Sequence, residues 1–243
     1  MRGLFVTATD TGVGKTIVST LLVRGLIERG LPAIHFKPVQ SGFITVGGRE
    51  YPADLAFSRS LIEPEGNIAA YCEKRSLFAF RTPVSPDFAA EKEKKSIDPA
   101  AIVARANELA KEHLLITEGA GGAAVPLAPN YLMADLIADL GQKTLVVARP
   151  GLGTLNHTRL TVEFLRQRGV DIAGIVVSGY APGEETADRN ITQLPRLCNA
   201  PLIGILPRIL GLDTERPGWL TPEAADALQE RFDWPRIIAA CGI

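Results

Sequence analysis

The residues best suited to chemistry lie near the start of the chain, where Thr9-Asp10-Thr11-Gly12-Val13-Gly14 leads into Lys15 and Thr16. Small residues at such a place let backbone N–H groups converge on phosphate oxygens, and a following helix adds the positive end of its dipole. Gly12, Val13, Gly14, Lys15, Thr16 and Ile17 are the candidate cradle for a nucleotide. In that pattern the lysine reaches the β- and γ-phosphates and the hydroxyl of Thr16 ligates Mg²⁺. The usual loop has a glycine five residues before Gly14, and Thr9 stands there instead. A glycine turn with an incidental lysine is the bland reading. The order strand, loop, helix argues against it.

Other groups recur at strand ends. Phe36-Lys37-Pro38-Val39-Gln40-Ser41-Gly42 follows an apolar run, and Pro38 would disturb a strand that had to continue. Alone, Lys37 reads as a surface lysine. Beside a phosphate loop, Lys37 and Ser41 become candidates for holding a transferring phosphoryl group. Leu114-Leu115-Ile116-Thr117 ends in Glu118, then glycines at 119, 121 and 122. A carboxylate directly after a buried strand is placed to hold Mg²⁺, as in other phosphate-loop proteins. Asp54 on its own reads as a helix first-turn acid. Gly151 to His157 form a glycine-rich turn into a helix, a second anion-binding shape, with His157 favoured as a plain helix-start residue. His35 and His113 have no partner legible in sequence. No Ser-His-Asp triad, Cys/His metal cluster or nucleic-acid motif competes.

Runs at 4–8 and 33–39 read as strands, and the short, nearly continuous apolar runs at 114–117, 144–148, 173–178 and 202–207 have the look of strands buried on both faces. Helical stretches are expected at 16–29, 53–62, 98–112, 131–140, 154–168 and 184–197. Asp98-Pro99 is an N-cap followed by proline at the first helical position. This alternation argues for an α/β chain: one doubly wound, mainly parallel sheet in a single domain spanning 1–243. Residues 63–97 read as an irregular cover over a site, and 208–243 as a divergent C-terminal segment. With 46% hydrophobic and 22% charged residues and a formal net charge of −1, nothing draws the chain to nucleic acid or acidic membranes. No apolar run approaches the ~20 residues of a membrane span. Three scattered cysteines (Cys72, Cys198, Cys241) suit a reducing cytoplasm, the expected location.

Taken together, "TATDTGVGKT", "FKPVQSG", Asp54, "PVSP" (83–86), "EGAGG" and "GLGTLNH" resemble the dethiobiotin synthetase family, in that order and with similar spacing, from residue 3 to about 207. Against that family Ala8 takes the place of the loop's leading glycine, so the loop is one residue longer than the usual pattern. The resemblance implies a cyclo-ligase that uses 7,8-diaminononanoate, CO₂ or bicarbonate, ATP and Mg²⁺. A carbamate and then a carbamic–phosphoric anhydride would be formed, and the neighbouring amine would close the ring. It further implies Lys15, Lys37, Thr11 and Ser41 as catalytic groups, and Thr16, Asp54 and Glu118 as metal ligands. Ser178 and Pro207 join the loop as ATP contacts, and Gly153, Thr154, Leu155 and Asn156 hold substrate from the partner subunit of a homodimer. Three positions depart from the family. Gly12 replaces a frequent acid, Asp87 stands in "SPD" where the family has "SPH", and Ser178 aligns with an adenine-binding asparagine.

The alternative from another class is a MinD/ParA-like switch ATPase, which shares the sheet and the loop. Those proteins use a leading lysine where this chain has Asp10, and they have no need of "KPVQSG". A cobyrinate-amidating ligase would require a glutaminase domain for which 243 residues leave no room.

Overall fold

The computed structural model describes all 243 residues. The first half of the chain runs β1 (Gly3–Ala8), α1 (Lys15–Glu28), β2 (Ala33–Phe36), β3 (Val39–Ser41), β4 (Phe43–Val46), β5 (Arg49–Pro52), α2 (Ala53–Ile62), α3 (Ile68–Arg75), β6 (Phe78–Phe80), α4 (Pro86–Lys92) and α5 (Pro99–Leu109). The second half runs β7 (Leu114–Glu118), β8 (Pro126–Ala128), β9 (Tyr131–Leu132), α6 (Met133–Leu140), β10 (Lys143–Ala148), α7 (Thr154–Arg166), β11 (Ile172–Tyr180), α8 (Glu185–Cys198), β12 (Leu202–Pro207), α9 (Pro222–Gln229) and α10 (Trp234–Ala240).

Six strands form one parallel sheet in the order β12-β11-β10-β1-β7-β2. Successive side chains of a strand point to opposite faces, and the two cores follow that parity. Leu4, Val6, Leu114, Ile116, Leu145, Val147 and Val176 face the layer holding α1, α2, α9 and α10. Phe5, Leu115, Val146, Ala148, Ile175 and Val177 face the layer holding α4 to α8. Burial on both faces is why these strands read as continuous apolar runs.

The run 33–39, expected as one strand, is two. β2 stops at Phe36, the Lys37 amide donates to the Arg75 carbonyl, and β3 resumes beyond Pro38 in a separate parallel pair with β6. Proline has no N–H for a continuing ladder. The stretch 63–97, expected to be irregular, contains α3, β6 and α4. Asn67 caps α3 by accepting the Ala70 amide, and Pro86 opens α4 after Ser85. Residues 222–240 pack on the back of α1. The closest approach is at Gly25, where a Cβ would stand 2.2 Å from the Trp234 ring, so only glycine fits there. The Trp234 indole N–H donates to the Gln229 carbonyl, and the Arg29 guanidinium lies 3.9 Å from the ring centroid.

The strand order positions the site. From β1 the chain crosses to β2 and returns to β7 between them, then moves to β10 on the other side of β1. Such a reversal opens a crevice beyond the carboxyl ends of the strands. The ends of β1, β7 and β2 therefore lie side by side, with Val6 paired to Glu118 and Phe36 to Thr117.

Candidate active site

Beyond β1 the chain turns through Thr9 to Gly14 and enters α1. Gly14 is the N-cap of α1 at φ +105°, a conformation that L side chains rarely adopt, and its missing Cβ would fall 2.5 Å from the Ser178 hydroxyl. Gly12 is also left-handed, at φ +72°, with open space where a side chain would project. The Asp10 carboxylate organises the loop: Oδ1 accepts the Thr11 amide at 2.7 Å and Oδ2 meets the Arg149 guanidinium at 2.6 Å. The Lys15 ammonium curls back to the Asp10 carbonyl at 3.3 Å. Burial, and then the neighbouring Lys37 charge, lower the Lys15 pKa to about 8.

Lys37 and Glu118 form the centre of the site. Glu118 is fully buried at the end of β7, and Lys37, just past β2, is nearly so. The Lys37 Nζ lies 2.8 Å from Glu118 Oε1, 2.8 Å from Asp54 Oδ2 and 2.9 Å from the Gly119 carbonyl. Glu118 Oε1 also accepts the Thr16 hydroxyl at 3.0 Å. Its second oxygen, Oε2, is 2.9 Å from His35 Nε2. His35 Nδ1 is 2.9 Å from Ser58 Oγ, and Ser58 Oγ is 3.0 Å from the Tyr71 hydroxyl. Burial alone would raise the carboxyl pKa of Glu118 and lower the ammonium pKa of Lys37. In both cases the opposite charge wins. The Lys37 charge, helped by the His35 hydrogen bond, holds Glu118 well below the ordinary carboxylate value, and Asp54 and Glu118 hold Lys37 above the ordinary lysine value. Burial pushes the Tyr71 phenol up to about 12, so it stays protonated and able to donate at neutral pH.

Thr16, Asp54 and Glu118 are hard oxygen donors, and one cation, the Lys37 ammonium, already bridges the two carboxylates. Mg²⁺ takes one or two carboxylates and leaves its other positions to phosphate oxygens and water. The donor set fits that ion.

Next to the loop lies an open cleft lined by Gly12, Gly14, Ile17, Ser178, Pro207 and Arg208, together with Thr11, Val13, Arg149, Gly179, Leu206, Ile209 and Leu212. The structure thus gathers Lys15, Thr16, Lys37, Asp54 and Glu118 into one charged group, and sets Gly12, Val13, Gly14, Ile17, Ser178 and Pro207 around the adjoining cleft. Thr11 lines that cleft but makes no hydrogen bond to the charged group. Ser41 ends β3 and its carbonyl accepts the Gln40 side-chain amide, again without joining the group. Gly153, Thr154, Leu155 and Asn156 form the start of α7, apart from Lys37. Thr154 is buried against Thr158, while Leu152 just before them is 90% exposed and Leu160 on the same helix 61%. Asp87, the departure in "SPD", has one buried carboxylate oxygen without a partner.

Sequence reading missed His35, Ser58, Tyr71, Arg149 and Arg208. Two signals were present. His35 lies two residues before Lys37, hence on the same side of an extended segment. Arg149 directly follows the buried strand β10, where functional groups gather in such sheets.

With this geometry in hand, similarity to known proteins is informative. A family profile described as an AAA domain matches residues 2–216. An ATP-dependent dethiobiotin synthetase from Anaeromyxobacter dehalogenans is 43% identical over 210 residues, covering 85% of this chain and 90% of the relative. One from Methanococcus vannielii is 42% identical over 206 residues, covering 84% and 92%. Among solved structures, the MinC:MinD cell division complex of Aquifex aeolicus is similar at TM-score 0.61, with 14% identity over 95% of this chain and 94% of that one. That likeness establishes the fold alone. No helix is long and apolar enough to cross a membrane. The chain belongs to the ATP-dependent dethiobiotin synthetase family.

Proposed function

We propose that this chain closes the ureido ring of dethiobiotin from 7,8-diaminononanoate, CO₂ and ATP. The observation that carries this reading is the buried Lys37 ammonium, shared between Glu118 and Asp54 at 2.8 Å each beside the Lys15 loop. The chemistry gathers negative charge. One amine takes up CO₂ as a carbamate, the γ-phosphoryl group moves to a carbamate oxygen, and the second amine attacks the carbonyl and expels phosphate. Such a reaction needs fixed cations and backbone donors where charge develops, and no covalent nucleophile.

Each residue then has a task. The backbone of Gly12 to Gly14 and the start of α1 receive the phosphates. Lys15 leaves the Asp10 carbonyl for the β/γ oxygens, and that charge restores its ordinary pKa. Lys37 faces the carbamate and the transferring group, with Thr11 and Ser41 donating hydroxyls on either side. Thr16, Asp54 and Glu118 would hold Mg²⁺, which supplies charge neutralisation on the phosphate oxygens. Ser178, Pro207 and the adjoining cleft accept the base. Gly153 to Asn156 at the start of α7 would receive the far carboxylate of a substrate bound to the partner subunit of a homodimer. The exposed Leu152 and Leu160 beside them are candidates for that contact.

The test is incubation with diaminononanoate, bicarbonate, Mg²⁺ and ATP. A product of dethiobiotin's mass, formed one-to-one with ADP, is expected, and Lys37→Ala should abolish most of kcat while ATP still binds. ATP hydrolysis without that product would favour a nucleotide switch instead.

A further inference from the structure

His35 is a fully buried histidine that the proposed reaction does not use directly, yet it makes the only side-chain bond to Glu118 Oε2. The other carboxylate oxygen carries the Thr16 hydroxyl and the Lys37 ammonium. The division is orderly: Oε1 faces the reacting groups and Oε2 faces the scaffold. The hydrogen-bond directions close consistently. An ionised carboxylate only accepts, so His35 Nε2 donates its proton to Oε2. A neutral imidazole then presents Nδ1 as acceptor. The Ser58 hydroxyl donates to Nδ1 and in turn accepts the Tyr71 hydroxyl. Three elements contribute, β2, α2 and α3.

We propose that His35, held by Ser58 and Tyr71, is a positioning residue that pins Glu118 so that a single carboxylate oxygen faces Thr16 and Lys37. Without that bond the carboxylate is free to rotate about its last torsion and take Lys37 with both oxygens, a bidentate pairing that competes with metal and draws the ammonium from the substrate. Partners that orient a metal-ligating side chain commonly change metal affinity 10- to 100-fold when removed. The inference rests on the proposed role of Glu118 as an Mg²⁺ ligand.

Mn²⁺ binding, followed by electron paramagnetic resonance in the presence of saturating ADP, separates the two. His35→Leu should weaken Mn²⁺ by about tenfold or more, the lower end of the range for such partners, while leaving ADP affinity without metal unchanged. His35→Gln, whose side-chain amide can reach Oε2, should recover most of the loss; a merely structural role gives no such rescue. Tyr71→Phe deletes one hydroxyl and keeps the ring, so it tests the same chain if His35→Leu fails to fold, with a few-fold loss expected. Wild-type affinity in His35→Leu, or equal losses in His35→Leu and His35→Gln, would overturn the positioning role. In the fallback, an unchanged Tyr71→Phe does the same. A wild-type protein that binds no Mn²⁺ beyond that held by free ADP would instead overturn the metal reading itself.

Discussion

Replacing Lys37 by methionine, an unbranched side chain one heavy atom shorter and without charge, is a sharp test of the buried charge group. In the native protein the ammonium neutralises Glu118, which is completely buried, and Asp54, which is largely so. Deleting it leaves a carboxylate with only the His35 and Thr16 bonds. Removing one member of a buried ion pair typically costs about 3–5 kcal/mol, because the survivor is left uncompensated. For a chain of this size that corresponds to a melting temperature lower by about 6–20 °C. Two further features follow from the geometry. Divalent cations should restore more stability to Lys37→Met than to wild type, since the freed carboxylates still demand a cation. The deficit should also depend on pH. The folded pKa of Glu118 is depressed, so its pairing stabilises fully above the unfolded value of about 4.3 and loses that contribution as pH falls. The gap between variant and wild type should therefore be full at pH 7 and narrow below about pH 4. Urea unfolding at both pH values, with and without 5–10 mM (order of magnitude) Mg²⁺, reads all three effects. A loss under about 1 kcal/mol at pH 7 without metal would refute the claim that Lys37 holds the group together.

Three further outcomes are expected. Lys15, lowered to about 8 by burial and Lys37, should regain its proton when phosphates arrive; calorimetry at pH 8.5 in buffers of different ionisation enthalpy should detect proton uptake on ATP binding, and its absence would place the lysine away from the phosphates. Gly14→Ala forces φ +105° on a residue with a Cβ and pushes that carbon onto Ser178, a strain of about 1–3 kcal/mol; titration should show nucleotide binding lost, with Ser178→Gly recovering only the steric part. Leu152→Asp combined with Leu160→Asp should make the proposed homodimer monomeric in analytical ultracentrifugation and abolish ring closure while sparing ATP binding; an unchanged oligomeric state would remove α7 from the proposed interface.

What could be read from the sequence was whatever is written locally. The phosphate loop, the helix after it and Glu118 each sit within a few residues of the strand that places them, and sheet parity made those strands legible as apolar runs. From its own surroundings Asp54 was ambiguous, and only the family resemblance singled it out; the fold brings it to Lys37 across 17 residues, and its companion Glu118 lies 81 residues from Lys37. His35 was legible only as a neighbour of Lys37, two residues away; its partners Ser58, Tyr71 and Glu118 come from separate elements that nothing in a single sequence links to it. Other misses had signals. Thr221-Pro222 is the same cap-and-proline start as Asp98-Pro99, and Asp233 caps α10, so the C-terminal helices were written as clearly as α5. Their place on α1 depended on Gly25 and Trp234 meeting, a fit visible only in three dimensions. In 63–97, Asn67 and Ser85-Pro86 announced helices that the charged surroundings disguised.

The destination of the γ-phosphoryl group decides between ring closure and simple hydrolysis. Reacting the protein briefly with ¹⁸O-labelled bicarbonate, diaminononanoate, Mg²⁺ and ATP, and weighing the released phosphate, asks that directly. Transfer to a carbamate oxygen places one bicarbonate-derived ¹⁸O in each phosphate and leaves the other in the ureido carbonyl, so the dethiobiotin formed carries one ¹⁸O. Phosphate that carries no bicarbonate-derived ¹⁸O would mean that water is the acceptor, and would contradict the ring-closing mechanism built on Lys37 and Lys15.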